Sequence, residues 1–372
     1  LKYHLGFLGG GQLARMSIQA AQRMGLRCVS LDSSEKSPAA KVADFRVGSI
    51  TRSEDIQAIF EIAEKVTLEN EFIPADVIRS ALEGGGHSED RLIPGLAALA
   101  TIQDKLVQRQ ALLNAGVPCP HAVALDDKAA AEIGFPMVLK TRFGGYDGKG
   151  TRYAKNSDEL AAFEPEWSRG GWLAEQFVSF RREIAVMVVV GPNGSFCFPT
   201  VETVQTNSVC DLVFPCDADA SLIAIDAVRA VGGIGLFGVE LFELSDGRIL
   251  VNEIAPRPHN SGHYTLDWGG PSQFEYHVRA VLDLPMTKPD SCRFAVMANL
   301  LGQPGAGEFE PALAAALAEP GAFVHWYEKD ESKPGRKMGH INVCGDDFSR
   351  VQEAVDAAKL ARSRFYQAWT KD

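Results

Sequence analysis

The chain has 372 residues, 46% of them hydrophobic and 23% charged, which is ample for a sizeable core and for two or three domains. Lys plus Arg is 37 and Asp plus Glu is 48, so the formal charge of −11 argues against nucleic acid or an anionic membrane as the main partner, though not against local basic pockets. The seven cysteines, an odd number without a CxxC pair, read as a reduced chain with no disulfide framework or thiolate metal site. No apolar run approaches the ~20 residues of a membrane span. The opening "LKYHLGFLGGG" carries no charged-then-apolar leader, so a cytoplasmic chain is expected.

In chain order, "YHLGFLG" is strand-like, "GGQLARMSIQAAQRMG" an amphipathic helix, "LRCVSLD" a strand, "SEDIQAIFEIAEK" a helix and "VTLEN" a short strand. That alternation predicts an open, doubly wound parallel sheet. "LIPGLAALATIQDKLVQRQALLNAG" supplies a helical bridge. From about 117 to 176 compact strands surround glycines ("FPMVLK", "GTRYAK", "GGWLAEQFV"). Longer strands follow ("REIAVMVVVG", "CFPTVET", "GVELFEL", "RILVNEIA"), with one helix at "SLIAIDAVRAVGG". The last eighty or so residues add "FAVMANLLG", a basic loop, "HINVCG" and a closing helix "DDFSRVQEAVDAAKLARSR".

Four stretches carry chemistry. "GGGQLA" (9–14) matches the G-x-G-x-x-G/A turn between a strand and a helix, and Asp32 ends the next strand. NAD with Asp32 on its ribose fits that pattern, and so does any phosphate or substrate at the helix N-terminus. "TRFGGYDGKGTRYAK" places Gly144, Gly145, Gly148 and Gly150 between two strands, with Lys140 and Lys149 adding positive charge. Its mobile backbone N–H groups suit the covering of phosphates, although an ordinary flexible hairpin has the same composition. It is not a Walker A loop, which opens a helix.

In "GVELFELSDGRILVNEI", Asp246-Gly247 is a two-residue hairpin signal, so paired residue numbers should sum to 493. Glu240 and Glu253 then face each other, on the same side as Phe242, Leu244, Val251 and Ile249. Two opposed carboxylates repel, by roughly 0.2–1 kcal/mol as a cross-strand pair, and a divalent cation such as Mg²⁺ removes that penalty. One residue of slip would separate them. Finally, Lys329, Lys333, Arg336 and Lys337 lie within nine residues, where Pro334-Gly335 fixes a turn. That is either a solvated loop or an anion grip. His4, His87, His121 and His277 receive no role. Phosphate-covering glycines, lysines and an acidic pair describe a nucleotide-driven ligase better than a dehydrogenase.

Seven motifs in order, "LGGGQLARM", "TLENEFIP", "QDKLVQR", "FPMVLKTRFGGYDGKG", "EQFV" with Glu183, "NEIAPRPHNSGH" and "PGRKMGH", make nearly the whole chain resemble the 5-(carboxyamino)imidazole ribonucleotide synthases, ATP-grasp enzymes of purine biosynthesis. The resemblance implies an α/β ATP-grasp fold, α+β in its central part. It divides as a Rossmann-like unit over 1–100, an ATP-grasp unit over 101–290 with a mobile lid at about 117–176, and a C-terminal domain over 291–372. It implies ATP and Mg²⁺ as cofactors, bicarbonate and 5-aminoimidazole ribonucleotide (AIR) as substrates, and a homodimer.

Position by position, the resemblance puts Lys105 and Lys140 on ATP phosphates, loop 144–150 (Gly144, Gly145, Tyr146, Asp147, Gly148, Lys149, Gly150) over them, and Glu175, Gln176, Phe177 and Val178 along the adenine. Glu183 takes the ribose, Gln205 stands near ATP, Glu240 and Glu253 hold Mg²⁺, and Asn252 stands beside them. Arg257 would meet bicarbonate or carboxyphosphate, with His259, Asn260 and Ser261 nearby. Asp147 would take the amine proton beside Tyr146, and Lys337 would steady carboxyphosphate. Lys329 and Arg336 would grip the AIR phosphate, and Gln12 and Glu69 would bring the N-terminal unit to AIR. Three departures concern the nucleotide side: Gln205 where histidine is common, Asn70 where an aromatic is frequent, and Lys105 where arginine is common, which keeps charge but not a bidentate grip.

Overall fold

The structure, a computed structural model, describes residues 1–145, 148–192, 194–288, 293–305 and 307–370. The expected Tyr146 and Asp147 lie outside the described residues.

The N-terminal strands Tyr3–Leu8, Cys28–Asp32, Asp44–Val47 and Ala63–Leu68 form the predicted parallel sheet, with Tyr3–Leu8 between Cys28–Asp32 and Ala63–Leu68. One boundary differs from expectation. The helix foreseen over 53–65 stops at Phe60, and the strand begins at Ala63. Ile56, Ile59, Phe60, Ala63 and Val66 are all fully buried in one cluster, so the apolar spacing that reads as continuous helix spans a helix and a strand packed on each other. The helical bridge is likewise two helices, Leu96–Gln103 and Lys105–Asn114, broken where Asp104 caps the second by accepting from the Leu106 and Val107 N–H groups.

The centre is a nine-stranded sheet. Its strand Arg182–Gly191 is apolar from Ile184 to Val190 because both faces are covered there. Ile184, Val186 and Val188 point to the helix Ser221–Ala230, while Ala185, Met187 and Val189 point to Tyr264, Trp268 and Tyr276. The C-terminal strands Phe294–Leu301, Lys337–Gly345 and Ala322–Trp326 extend this same sheet, and the helix Val351–Trp369 closes its outer face. "CFPTVET" is not one strand but two, Gly194–Cys197 and Val201–Thr206.

Over one end of the central sheet sits a separate antiparallel sheet in the order Ala122–Ala124, Trp172–Gln176, Met137–Thr141, Thr151–Ala154, with its own core of Leu125, Met137, Leu139, Leu160 and Ala174. It is joined to the bridge by Asp104, which accepts from Arg142 Nε at 3.0 Å and from Nη2, and by the Lys105 N–H donating to the Arg142 carbonyl at 2.9 Å. The N-terminal unit docks on the central part through the helices Gln12–Arg23 and Gln273–Val281, with Leu13 and Met16 against Phe274 and Tyr327.

Candidate active site

Between the two sheets lies a cleft of about 420 Å³. Its floor follows from strand parity. Ala185 pairs with Glu240 and Glu183 with Phe242, so Glu183, Glu240 and Phe242 share one face, and Glu240 is paired with Glu253. The expected carboxylate pair is present, but the hairpin reaches it differently. The turn is the three residues 245–247: Leu244 N–H donates to the Arg248 carbonyl at 2.8 Å and Gly247 takes φ 83°. Pairs near the turn therefore sum to 492, as Leu241–Val251 and Phe242–Leu250 do. A bulge at Asn252 then restores 493 for Glu240–Glu253 and Val239–Ile254.

The bulge also corrects the face assignment. Val251 and Ile249 turn away from Glu240 into the core with Leu241, while Asn252 and Glu253 both line the cleft.

Cations meet these groups from the bridge helix and from the lid. Lys105 Nζ bonds Glu253 Oε1, and Lys140 Nζ stands 2.7 Å from Glu175 Oε1 and 3.2 Å from Asn252 Oδ1. Burial alone would raise Glu175, yet Lys140 and Arg109 hold its carboxyl below the usual range. Glu240 goes the other way. Burial, Glu253 and Glu183 push it up to about 7. The opposed Glu240 and Glu253, with Asn252 beside them, offer the oxygen ligands and compensating charge that Mg²⁺ requires, though no group of three His, Cys, Asp or Glu among the described residues is close enough to hold an ion unaided.

His259 Nδ1 accepts from Ser261 Oγ at 2.9 Å and from the Ser261 N–H at 3.4 Å, which leaves the proton on Nε2, 3.4 Å from Glu240 Oε1. Burial, Arg257 and Lys337 push its pKa down to about 3, so it is a neutral donor. Asn260 exchanges both amide contacts with buried Asn299, at 3.0 and 2.6 Å.

Of the residues singled out in the sequence, Lys105, Lys140, Gly145, Gly148, Lys149, Gly150, Glu175, Gln176, Phe177, Val178, Glu183, Gln205, Glu240, Asn252, Glu253, His259, Asn260 and Lys337 line this one cleft. The glycine loop needs its glycines: Gly148 has φ 73°, and a Cβ there would come within 2.5 Å of Ser208 Cβ. Gly144 opens on an adjoining recess with Glu71, Phe72 and Phe143. Arg257 is not free in the cleft, since it holds Glu71 with both arms of its guanidinium, Nη2 to Oε1 at 2.8 Å. Ser261 is buried beneath His259. Glu69 accepts from the Leu13 N–H at 3.4 Å at the start of the helix that bears Gln12, and burial raises its pKa against the pull of Asn70, Arg257 and Lys329. Lys329 lies over the Tyr327 ring, and exposed Arg336 donates to the Glu331 carbonyl at 3.1 Å.

Asp32 braces the turn itself, accepting from the Gly10 N–H at 2.8 Å and the Ser34 N–H at 2.9 Å. Sequence reasoning missed Phe180, stacked on Phe242 with ring centres 4.6 Å apart in the cleft, and Tyr153, edge-on to Phe177. Lone aromatics in loops or edge strands give no periodic signal, although Phe242 stands two residues from Glu240 on its face. Arg109, inside the motif "QDKLVQR", was also passed over.

Three family models match in series: the ribonucleotide synthetase preATP-grasp domain over 3–103, the ATP-grasp domain over 110–274, and the phosphoribosylaminoimidazole carboxylase C-terminal domain over 295–354. The N5-carboxyaminoimidazole ribonucleotide synthase of Synechococcus elongatus is 39% identical, covering 96% of this chain and 93% of the relative. The phosphoribosylaminoimidazole carboxylase of Saccharomyces cerevisiae is 35% identical over 95% of this chain, which spans 65% of that longer protein. Among solved structures, the N5-carboxyaminoimidazole synthase of Aspergillus clavatus in complex with ADP and 5-aminoimidazole ribonucleotide superposes with a TM-score of 0.87 at 31% identity, covering 98% of this chain and 99% of that one. The Thermotoga maritima synthetase gives 0.84 at 35% identity, with 99% of each chain covered. The chain belongs to the N5-carboxyaminoimidazole ribonucleotide synthase family of ATP-grasp ligases.

Proposed function

We propose that the protein carboxylates the 5-amino group of AIR with bicarbonate at the expense of ATP, giving 5-(carboxyamino)imidazole ribonucleotide, ADP and phosphate. The observation that carries this reading is the cleft in which Lys105, Lys140, Gly145, Gly148, Gly150 and the Glu240–Glu253 pair meet His259 and Asn260, in a chain similar to these synthases over 96% of its length.

A bicarbonate oxygen attacks the γ-phosphorus and ADP leaves, forming carboxyphosphate. The amine nitrogen then attacks its carbonyl carbon, or the CO₂ it releases, as phosphate departs and the amine loses a proton. The protein's part in the first step is positioning and charge neutralisation. Lys105 and Lys140 suit the phosphates, and Phe177, Phe180, Phe242 and Tyr153 offer aromatic surface for a purine. Glu240 and Glu253, with Asn252 beside them, would hold Mg²⁺, which when bound neutralises phosphate charge. The Gly144–Gly150 loop suits a cover that keeps water from a labile acyl phosphate.

In the second step Lys337, beside His259 and Asn260, would steady the carboxyphosphate, and Asp147 would take the amine proton next to Tyr146. Arg257 would reach the acyl group from its Glu71 anchor, with Ser261 buttressing His259. Gln12, Glu69, Lys329 and Arg336 would take AIR and its phosphate. The working division is 1–100 for AIR entry, 101–290 for ATP with the lid at about 117–176, and 291–372 for the phosphate grip. A cytoplasmic homodimer completes the proposal. No helix among the described residues is long and apolar enough to cross a membrane, and sedimentation would test the dimer.

The test is ADP release from ATP, Mg²⁺ and bicarbonate with and without AIR, set against formate with glycinamide ribonucleotide. Stimulation by AIR and bicarbonate alone is expected. ATP binding without that stimulation would keep the nucleotide site and overturn the acceptor.

A further inference from the structure

The strand Ile249–Ala255 is the outer edge of the central sheet, so half of its backbone groups face away from the ladder, and the bulge at Asn252 adds more. The Val251 N–H donates to the Pro118 carbonyl at 2.8 Å, and two side chains of the helix Lys105–Asn114 take three more of these groups. Arg109 Nη1 donates to the Val251 carbonyl at 2.8 Å and Nη2 to the Asn252 carbonyl at 3.0 Å. Gln108 Oε1 accepts from the Ile254 N–H at 3.1 Å, with its Nε2 3.3 Å from the Ile102 carbonyl. Both side chains are about 95% buried. They flank the two residues whose common face depends on the bulge.

Arg109 has a second connection. The Nη2 that holds the Asn252 carbonyl also holds Glu175 Oε2, while the other oxygen of that carboxylate receives Lys140. Lys140 returns to the Asn252 side chain. The ring runs from bulge backbone to Arg109, Glu175, Lys140 and back to the bulged side chain, and joins the central sheet to the lid. A core arginine serving packing alone would need one carboxylate; this one spends its fork on the two carbonyls of the bulge.

We propose that Arg109 and Gln108 are positioning residues for the Mg·ATP site. They clamp the bulge that turns Asn252 and Glu253 to one face, and Arg109 ties that register to Lys140 through Glu175. The inference rests on the ATP reading above. Neither residue touches the nucleotide; each acts through the backbone it holds. Removing such outer support typically costs 10–100-fold in metal affinity or activity.

The test uses the full chain with Arg109→Met, Arg109→Lys and Gln108→Ala. Mg·ADP binding is followed by calorimetry across a Mg²⁺ series, beside kcat, the KM values for ATP and AIR, and thermal melts. Arg109→Met is expected to raise the Kd for Mg·ADP and the KM for ATP roughly tenfold or more while the KM for AIR stays in place. Arg109→Lys should recover part of the loss, since it keeps the charge without the planar fork. Gln108→Ala should need more Mg²⁺ for the same occupancy. Wild-type Mg·ADP affinity in folded Arg109→Met and Gln108→Ala would overturn the inference, as would losses no larger than the loss of folded protein. Should Arg109→Met fail to fold, Arg109→Lys and Gln108→Ala decide by the same criteria. A wild-type protein that binds no Mg·ADP would instead overturn the ATP reading and this inference with it. One that binds Mg·ADP but ignores AIR would remove only the acceptor.

Discussion

Lys140 and Glu175 form a 2.7 Å ion pair between adjacent strands of the lid, with Glu175 buried and Lys140 facing the cleft. The lysine is therefore held at one end while its ammonium also reaches Asn252 of the central sheet. A cation fixed in this way can meet a developing phosphate charge without first being ordered. Lys140→Met is expected to lower kcat/KM for ATP roughly a hundredfold. The fold should persist, because Glu175 keeps Arg109. An unchanged kcat/KM in steady-state kinetics would return Lys140 to a purely structural role.

Glu240→Gln and Glu253→Gln each remove one charge from a pair whose repulsion the metal relieves. Both variants should need more Mg²⁺ for half-maximal ADP binding, by about tenfold, while the melting temperature without Mg²⁺ holds or rises. Titration of both variants with Mg²⁺ decides it. A Mg²⁺ dependence unchanged from wild type in both would sink the assignment of the pair to the metal.

Glu71 and Arg257 give a stability prediction with a pH signature. Their side chains are 14% and 15% exposed. Burial raises the Glu71 pKa, yet Arg257 more than offsets it and leaves the group below its ordinary value. The folded pKa is depressed, so the stabilisation is present above the unfolded value of about 4.3 and is lost as pH falls through the folded pKa. Glu71→Gln leaves Arg257 with a part-buried, unpaired charge and should cost about 3 kcal/mol at neutral pH. The variant should also lose the acid-side decline that Glu71 contributes. Urea unfolding between about pH 3 and pH 7 measures both; parallel pH curves for the two proteins would contradict the pairing.

Gly11→Ala probes the N-terminal unit. A Cβ at Gly11 would run into the Glu69 carboxylate, so the substitution displaces Glu69 without touching the ATP cleft. The KM for AIR should rise several-fold, on the order of 1 kcal/mol for a displaced polar contact, with Mg·ADP binding unchanged. If the KM for AIR does not move, Glu69 is not at the AIR site.

Asp147→Ala and Lys337→Ala are expected to abolish AIR carboxylation, by roughly 10²–10⁴-fold for a general base, while Mg·ADP binding and the melting temperature persist. Normal turnover in either removes that residue from the mechanism.

Much of this site could be read from residue order. The glycine loop, the lysines beside it and the opposed glutamates announce themselves locally, because turns and charges act over a few residues. The hairpin shows the limit. Asp246-Gly247 reads as a two-residue turn, but the loop has three residues and the strand carries a compensating bulge at Asn252. Both are settled by what the neighbouring elements press against, namely the core around Leu241 and Val251 on one face and Arg109 and Gln108 at the edge. Apolar spacing over 53–65 could not separate helix from strand, since both bury their residues in one cluster. By itself the sequence determined the order of elements, the family and the residues that carry charge. Only the tertiary structure decided which of them meet: Arg257 with Glu71, Glu175 between Arg109 and Lys140, and Asp32 bracing the turn at Gly10. Those pairings join residues 22 to 186 positions apart, and long-range contact is fixed by packing rather than by any local propensity.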